Sequence, residues 1–554
     1  MREKKSDPIP LLLIVAGAVL FLPFLGRVHL FDWDEINFAE CAREMVTAKQ
    51  YLLVTLNYLP FWEKPPLFIW MQALSMKLFG IGDYAARLPN ALCGIVTLLM
   101  LYHAGKSIVD RSFGIFWVLA YAGSILPFFY FKSGIIDPWF NLFIFSSIYF
   151  FVVYKLKQDK VMPGSALKWL LLSAAFLGFA TLTKGPVAIL IFSLTALVYN
   201  FVAKGKRQYN FGHIVIFFFV LTLTGCSWFI TEIATGHENI IIEFIQYQIR
   251  LFKTDDAGHG GPFYYHFIVL LFGCFPASVL AIQGMVIKKG SDGKLIETSR
   301  WMAMLFWVVI ILFSIVKTKI IHYSSLCYYP LSFFAAFALY QIKLKQLDWK
   351  KWLTAAIMSI GILIGSAMVL MPVAGMNTAW IIKSGILKDP FAADNLLADV
   401  HWSYTYCLIG LFFTAGIIIA PLLFRRGLFS AGIITLFGTT IISTYAMLFF
   451  FVPKIEQYTQ QAAVEFYEGL QGKNVYVATL GYKSYAQYYY ARTQPGQNVS
   501  DSLTGRLLDG KTDKQAYFSC KVDVAADYKK DHPLIKELYR KNGFVFFLRE
   551  PDAN

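Results

Sequence analysis

The chain is short of charge. Only 15% of its 554 residues are Asp, Glu, Lys or Arg, where a water-soluble protein carries about a quarter. That is too little to coat a soluble surface. Paired cysteines are lacking as well. Cys41, Cys93, Cys226, Cys274, Cys327, Cys407 and Cys520 are scattered, mostly within apolar segments, which argues against a disulfide framework and against a thiolate metal site. No small-residue cleavage site follows the first apolar run, so MREKK is expected to lead into a retained span rather than a cleavable signal peptide. No Gly-rich phosphate loop lies between a strand and a helix, so no nucleotide cofactor is expected.

What is present is apolar sequence: 57% of residues are hydrophobic and the mean hydropathy is +0.53. Runs of about 20 such residues, each enough to cross hydrocarbon as a helix, recur along most of the chain. The fold class expected is an all-α polytopic membrane protein with a small C-terminal α/β unit. Spans are expected near 9–29, 88–105, 113–131, 137–154, 168–183, 186–203, 211–231, 264–287, 301–316, 322–341, 352–372, 404–424 and 430–452, about thirteen in all. Alternate loops test this reading. Arg2/Lys4/Lys5, Lys106/Arg111, Lys155/Lys157/Lys160, Lys204/Lys206/Arg207, Lys288/Lys289/Lys294, Lys343/Lys345/Lys350/Lys351 and Arg425/Arg426 fall on one side. Cytoplasmic loops concentrate such residues, so the N-terminus is expected inside and the C-terminus outside. The net charge of +15 is thereby read as topology, and no nucleic-acid partner is expected. Residues 1–453 form the expected membrane domain. Residues 454–554 form the outer unit, with NVYVATL and FVFFLRE as strands and KSYAQYYYAR and HPLIKELYRKN as helices. The aromatic face of SYAQYYYAR is either core or a sugar platform.

The outer side collects the chemistry. Residues 31–87 hold Asp32, Asp34, Glu35, Glu40, Glu44 and Glu63 among Arg43, Lys49, Lys64, Lys77 and Arg87. Phe38, Ala42, Met45 and Val46 share one helical face, and Glu40, Arg43, Glu44 and Thr47 the other, which predicts an amphipathic helix in the interface plane. Asp34 just before it reads as an N-cap and equally as a fixed general base. In Glu63-Lys64-Pro65-Pro66 the prolines set up a helix over LFIWMQALSMKLF, stopped by Gly80. A lysine at a helix N-terminus attracts phosphate; Glu63 either neutralises Lys64 or ligates a divalent metal, with His259 as a second ligand. Lys319, His322 and Tyr323, with Lys317, cluster on a side where topology does not call for cations, which points to a lipid phosphate or pyrophosphate. Lys184 is a similar cation, and Asp137 is a costly group at the mouth of its span.

Taken together, the early Asp-Glu, FWEKPPL, the Arg87-Leu-Pro before the second span, Asp137, TKGP around Lys184, DDAGHGGPFYYH and KTKIIHYSSLCYYP resemble the bacterial aminoarabinose transferases acting on lipid A. More broadly they resemble protein O-mannosyltransferase-like (family 39/83 type) GT-C glycosyltransferases. The resemblance implies an enzyme of the bacterial inner membrane, with its C-terminal unit in the periplasm. It would take a sugar from a polyprenyl-phosphate donor and pass it, with inversion, to a glycolipid, glycan or protein acceptor. It also implies that Asp34 is the catalytic carboxylate with Glu35 beside it. Lys64, Lys184, Lys319, His322 and Tyr323 would then face the donor phosphate. Glu63 and His259 would hold a metal (Zn, Mg or Mn), and Asp137, Arg43 and Arg87 are secondary candidates. The rival readings are a lipid-linked glycan transporter or flippase, which calls for charges near mid-membrane and two related halves, and an O-antigen-ligase-like enzyme, whose chemistry would sit in a late outer loop.

Overall fold

The computed structural model describes residues 7–202, 210–253, 260–285, 292–497 and 499–552. The protein is a helical bundle with a small sheet domain at its C-terminal end. Among the described residues, eight helices are long and apolar enough to cross a membrane, and ten if each of two bent helix pairs is one span. Every expected span falls on a helix or helix pair. The count of thirteen turns on three short or broken positions: Ile9–Phe21, Arg111–Ala122 with Ile125–Tyr130, and Val187–Val202. The expected span 264–287 falls on two helices, Tyr265–Gly273 and Ala277–Gly284, bent by 108° at the break between them. Pro276 stands at the break, where it has no N–H to continue the first helix.

The segment between the first and second spans begins with helix α1 (Ile9–Phe21) behind it. Helix α2 (Asp34–Ala48) then runs to a left-handed Lys49. A two-residue-turn hairpin follows, β1 (Thr55–Leu56) and β2 (Leu59–Pro60). Helix α3 (Leu67–Phe79) starts after Pro66 and ends at Gly80 with φ +87°, as the prolines and glycine predict. Helix α4 (Asp83–Ile108) returns into the bundle.

One expectation about α2 fails. Its polar face does not lie in water: Glu40, Arg43 and Glu44 are as buried as Ile36, Ala39 and Ala42. Arg43 forms a two-pronged pair with Glu40, at 2.6 Å on each arm, and donates to the carbonyl of Thr493. Glu44 accepts from Thr55 and from the Tyr58 N–H. The Glu40 and Arg43 charges can enter a core when paired and hydrogen-bonded in this way, and the cover comes from the β1–β2 hairpin and the C-terminal unit.

In that unit β3 (Tyr476–Leu480), β4 (Ala516–Lys521), β5 (Lys536–Lys541) and β6 (Phe544–Arg549) form a sheet in the order β3-β4-β6-β5, with β3 and β4 parallel and the rest antiparallel. The two expected strands are β3 and β6, and Ala486–Ala491 is the expected helix. The expected helix over 532–542 is wrong. Lys536–Lys541 is an edge strand, joined to β6 by Asn542 and Gly543 at φ +47° and +68°. An Asn-Gly pair with both φ positive closes a tight hairpin, and this turn signal outweighed the helical spacing of Leu534, Ile535 and Leu538.

The hydrophobic cores explain how the unit is held. One cluster fills the bundle. A second is shared: Ile36, Ala39, Ala42 and Met45 of α2 pack with Ile69 and Ala73 of α3 and with Val464, Tyr467, Tyr489, Tyr490 and Phe546 from the C-terminal end.

Candidate active site

A cavity of about 590 Å³ opens where the start of α2, the approach to α3 and several helix ends of the bundle meet. That is the size of an ordinary small-ligand site. Part of the lining is apolar: Phe38, Ile136, Phe140, Val187, Ile191, Phe313, Val316 and Leu326. It also carries Asp32, Asp34, Glu63, Lys64, Asp137, Lys184, His322 and Tyr323. The arrangement suits an amphiphile with an anionic head.

Four of the polar groups, Asp34, His322, Asp137 and Lys184, form a connected row. Asp34 opens the first turn of α2, and no side-chain bond caps that helix. Its carboxylate is 34% exposed and lies 3.4 Å from His322 Nε2. The same His322 nitrogen is 4.0 Å from Asp137 Oδ2. Asp137 Oδ1 accepts from Lys184 at 2.7 Å, and the Lys184 ammonium also sits 5.6 Å from the Phe140 and Tyr323 ring centres. Glu63 and Lys64 stand 3.8 Å apart, with the Lys64 ammonium 5.1 Å from the Tyr247 ring. Burial pulls the Lys64 ammonium below its usual range, and the charge of Glu63 opposes that pull. Asp32 is open to solvent on one side but crowded by protein, and this desolvation pushes its carboxyl up to about 6.

Other expected residues lie elsewhere. The Lys319 ammonium does not line the cavity; it donates to the carbonyls of Phe313, Ser314 (2.7 Å) and Val316. It thus caps the C-terminal end of helix Gly293–Ile315, a place that favours a cation. Glu35 touches the cavity wall, but its oxygens are occupied. Arg87 grips it at 3.0 and 2.8 Å, and the N–H groups of Phe31 and Gly134 also donate to it. Burial alone would raise the Glu35 carboxyl; Arg87 overcomes this and holds it below its usual range. Arg87 further ties the carbonyls of Leu25, Val28 and His29. Arg43 is buried behind α2, away from the cavity.

His259 lies outside the described residues, so its distance from Glu63 is not part of the site. Among the described residues no group of three or more His, Cys, Asp or Glu side chains could hold a metal ion. Glu63 itself faces an ammonium. Among the described residues, these side chains alone do not make a metal centre.

The sequence reading assigned no role to Trp33, Tyr247 or Gln248, which also line the cavity. Tyr247 had a signal. In helix Glu238–Lys253, Ile240, Phe244 and Tyr247 are buried while Ile242, Ile245 and Ile249 are half exposed. The i, i+4, i+7 spacing marks Tyr247 as inward-facing.

A multi-span bundle, a cavity lined in part by charged groups and a sheet domain packed against the first long loop make up the fold, and a solved structure shares it. The crystal structure of ArnT from Cupriavidus metallidurans bound to undecaprenyl phosphate superposes with a TM-score of 0.76 at 18% identity, covering 99% of this chain and 100% of that one. A family model described as dolichyl-phosphate-mannose-protein mannosyltransferase matches residues 63–228. Among curated relatives, the undecaprenyl phosphate-alpha-4-amino-4-deoxy-L-arabinose arabinosyl transferase of Edwardsiella ictaluri is 27% identical over 329 residues, 58% of each chain. The enzyme of the same name from Wigglesworthia glossinidia brevipalpis is 24% identical over 380 residues, 67% of this chain and 65% of its own. The match thus spans a little under two thirds of these relatives' length.

Proposed function

We propose that the protein is an inverting glycosyltransferase that moves a sugar from a polyprenyl-phosphate donor to a glycolipid, glycan or protein acceptor at the periplasmic face of the bacterial inner membrane. The observation that carries this reading is the single chamber in which a half-open carboxylate, Asp34, stands beside a row of cationic and apolar groups. The likeness in fold to a protein crystallised with undecaprenyl phosphate, and the names of the curated relatives, support such a donor. The basic loops support a cytoplasmic N-terminus and a periplasmic C-terminal unit.

The chain's own residues account for the steps. The polyprenyl tail lies along Phe140, Val187, Ile191 and Phe313, entering sideways from the bilayer. Its phosphate is held by Lys64, Lys184 and His322, groups placed to stabilise the charge that grows as the sugar–phosphate bond breaks. Asp34 takes up or orients the acceptor proton as the acceptor oxygen attacks the anomeric carbon from the face opposite the phosphate. An acceptor phosphate needs no base, and Asp34 then serves to position it. Asp137 holds Lys184 and faces His322, so it sets where the cations stand.

The test is reconstitution. Purified protein in proteoliposomes is given undecaprenyl-phosphate-linked sugars together with lipid A, glycan and peptide acceptors, and products are read by mass spectrometry. Sugar transfer to one acceptor class is the expected result. Movement of the lipid-linked sugar across the bilayer without any new glycosidic bond would instead make the protein a transporter.

A further inference from the structure

Beside Asp34 the chamber has a second kind of rim. Asp32 and Trp33 line the cavity, and the loop before helix Ala486–Ala491 of the C-terminal unit reaches across to them. The Tyr485 N–H donates to Asp32 Oδ1 at 3.4 Å. The Tyr485 ring meets the Trp33 ring edge-on, with centres 4.8 Å apart. Tyr489 and Tyr490 of the same aromatic stretch are buried in the shared core, whereas Trp33 is 41% exposed and Tyr485 half-buried. Large rings with one apolar face and one wet edge are common where a ligand is both.

We propose that Asp32, Trp33 and Tyr485 form a subsite for a hydroxyl-bearing sugar ring of the acceptor. The reading rests on the transferase function proposed above and names the acceptor's chemistry. The apolar C–H face of a pyranose packs on the open rings, and its hydroxyls donate to the Asp32 carboxylate. The donor's anionic head belongs with Lys64, Lys184 and His322, which line the same cavity. Asp32 and Trp33 lie on the C-terminal unit's side of Asp34. In an inverting reaction the acceptor approaches Asp34 opposite the departing phosphate, which puts its sugar against this rim. The C-terminal unit thereby takes part in choosing the acceptor.

The experiment uses the full chain in proteoliposomes, undecaprenyl phosphate-linked aminoarabinose as donor and lipid A, whose head is a disaccharide, as acceptor. Trp33→Ala and Tyr485→Ala are each expected to raise the lipid A KM about tenfold, the scale of losing one aromatic anchor of a ligand. Donor KM and kcat stay within about twofold, the pattern of lost ground-state binding to one substrate only. Tyr485→Phe keeps the ring and is expected to keep the wild-type KM, which separates loss of contact from loss of fold. A lipid A analogue with a photoreactive diazirine on its disaccharide is expected to label peptides that contain Trp33 or Tyr485 in the native chain. Labelling needs no turnover. A chain that labels there but does not transfer overturns aminoarabinose transfer to lipid A as its reaction and leaves the subsite standing. A chain that transfers while labelling elsewhere, or whose alanine variants change donor KM or kcat instead, overturns the subsite. A chain that does neither overturns both.

Discussion

Asp34 and Glu35 are neighbours in sequence and opposites in circumstance. Glu35 is buried and bound on both oxygens, by Arg87 and by two backbone N–H groups. Asp34 is a third exposed, and the partner it faces is a histidine at 3.4 Å. The same contrast separates the two regions to which they belong. Behind the chamber, Glu35–Arg87 and Glu40–Arg43 form short, multiply bonded pairs that fasten α2 to α4 and to the C-terminal unit. Inside it, Asp34 stands 3.4 Å from His322 and Glu63 3.8 Å from Lys64. Charges already matched by the protein hold structure. Charges left loosely matched are those a substrate can still engage.

The contrast can be broken most directly at Asp34. Asp34→Asn keeps size and polarity, so it is expected to lower transfer by about 10²- to 10⁴-fold, the usual range for a lost general base. Its thermal midpoint in detergent stays that of the native chain. Behind the chamber the expectation inverts. Arg87→Ala strands a buried carboxylate and is expected to cost about 3–5 kcal/mol of stability, seen as a large drop in thermal midpoint and in yield of folded protein. Lys184→Met tests the border between the two regions, since Lys184 is tightly paired with Asp137 yet lines the cavity. A raised donor KM of roughly 10- to 100-fold is expected, on the scale of a charge-assisted contact to phosphate. A weakened fold with unchanged donor KM would move Lys184 to the structural side.

The last expected effect is a pH dependence. Burial, and then the charge of Glu40, push the Glu44 carboxyl up to about 8, above its unfolded value near 4.5. The folded state therefore holds a proton that the unfolded chain has lost, so this group's contribution is full below about pH 4.5 and fades as pH rises toward 8. Thermal midpoints measured from pH 5 to 8 should fall, and Glu44→Gln should flatten that slope while Glu40 and Arg43 remain paired.

Much of this was legible in the sequence, for physical reasons that also mark where legibility stops. Apolar runs and basic loops locate spans because the bilayer leaves a backbone few choices, and Pro66 and Gly80 bound α3 because of what those residues do to φ. Topology alone brought Asp34, Glu63, Lys64, Asp137, Lys184, His322 and Tyr323 to one side, and all of them line one cavity. What residue type does not carry is whether a charge has a partner. Lys319 has the same charge as Lys184, yet three carbonyls at a helix end hold it. The buried polar face of α2 was hidden because its cover comes from Thr493 and its neighbours, some 450 residues away. The edge strand at 536–541 was missed through Asn542-Gly543, a turn signal read as a helix stop.

The central claim is that Asp34 works and Glu35 fastens. Transfer per folded molecule, measured side by side for Asp34→Asn and Glu35→Gln in proteoliposomes at matched folded protein, tests it most directly. The account predicts that Asp34→Asn is well folded and nearly inactive, while Glu35→Gln is less stable but active in the fraction that remains folded. An Asp34→Asn protein that transfers at the native rate, or a stable Glu35→Gln protein that does not transfer at all, would contradict it.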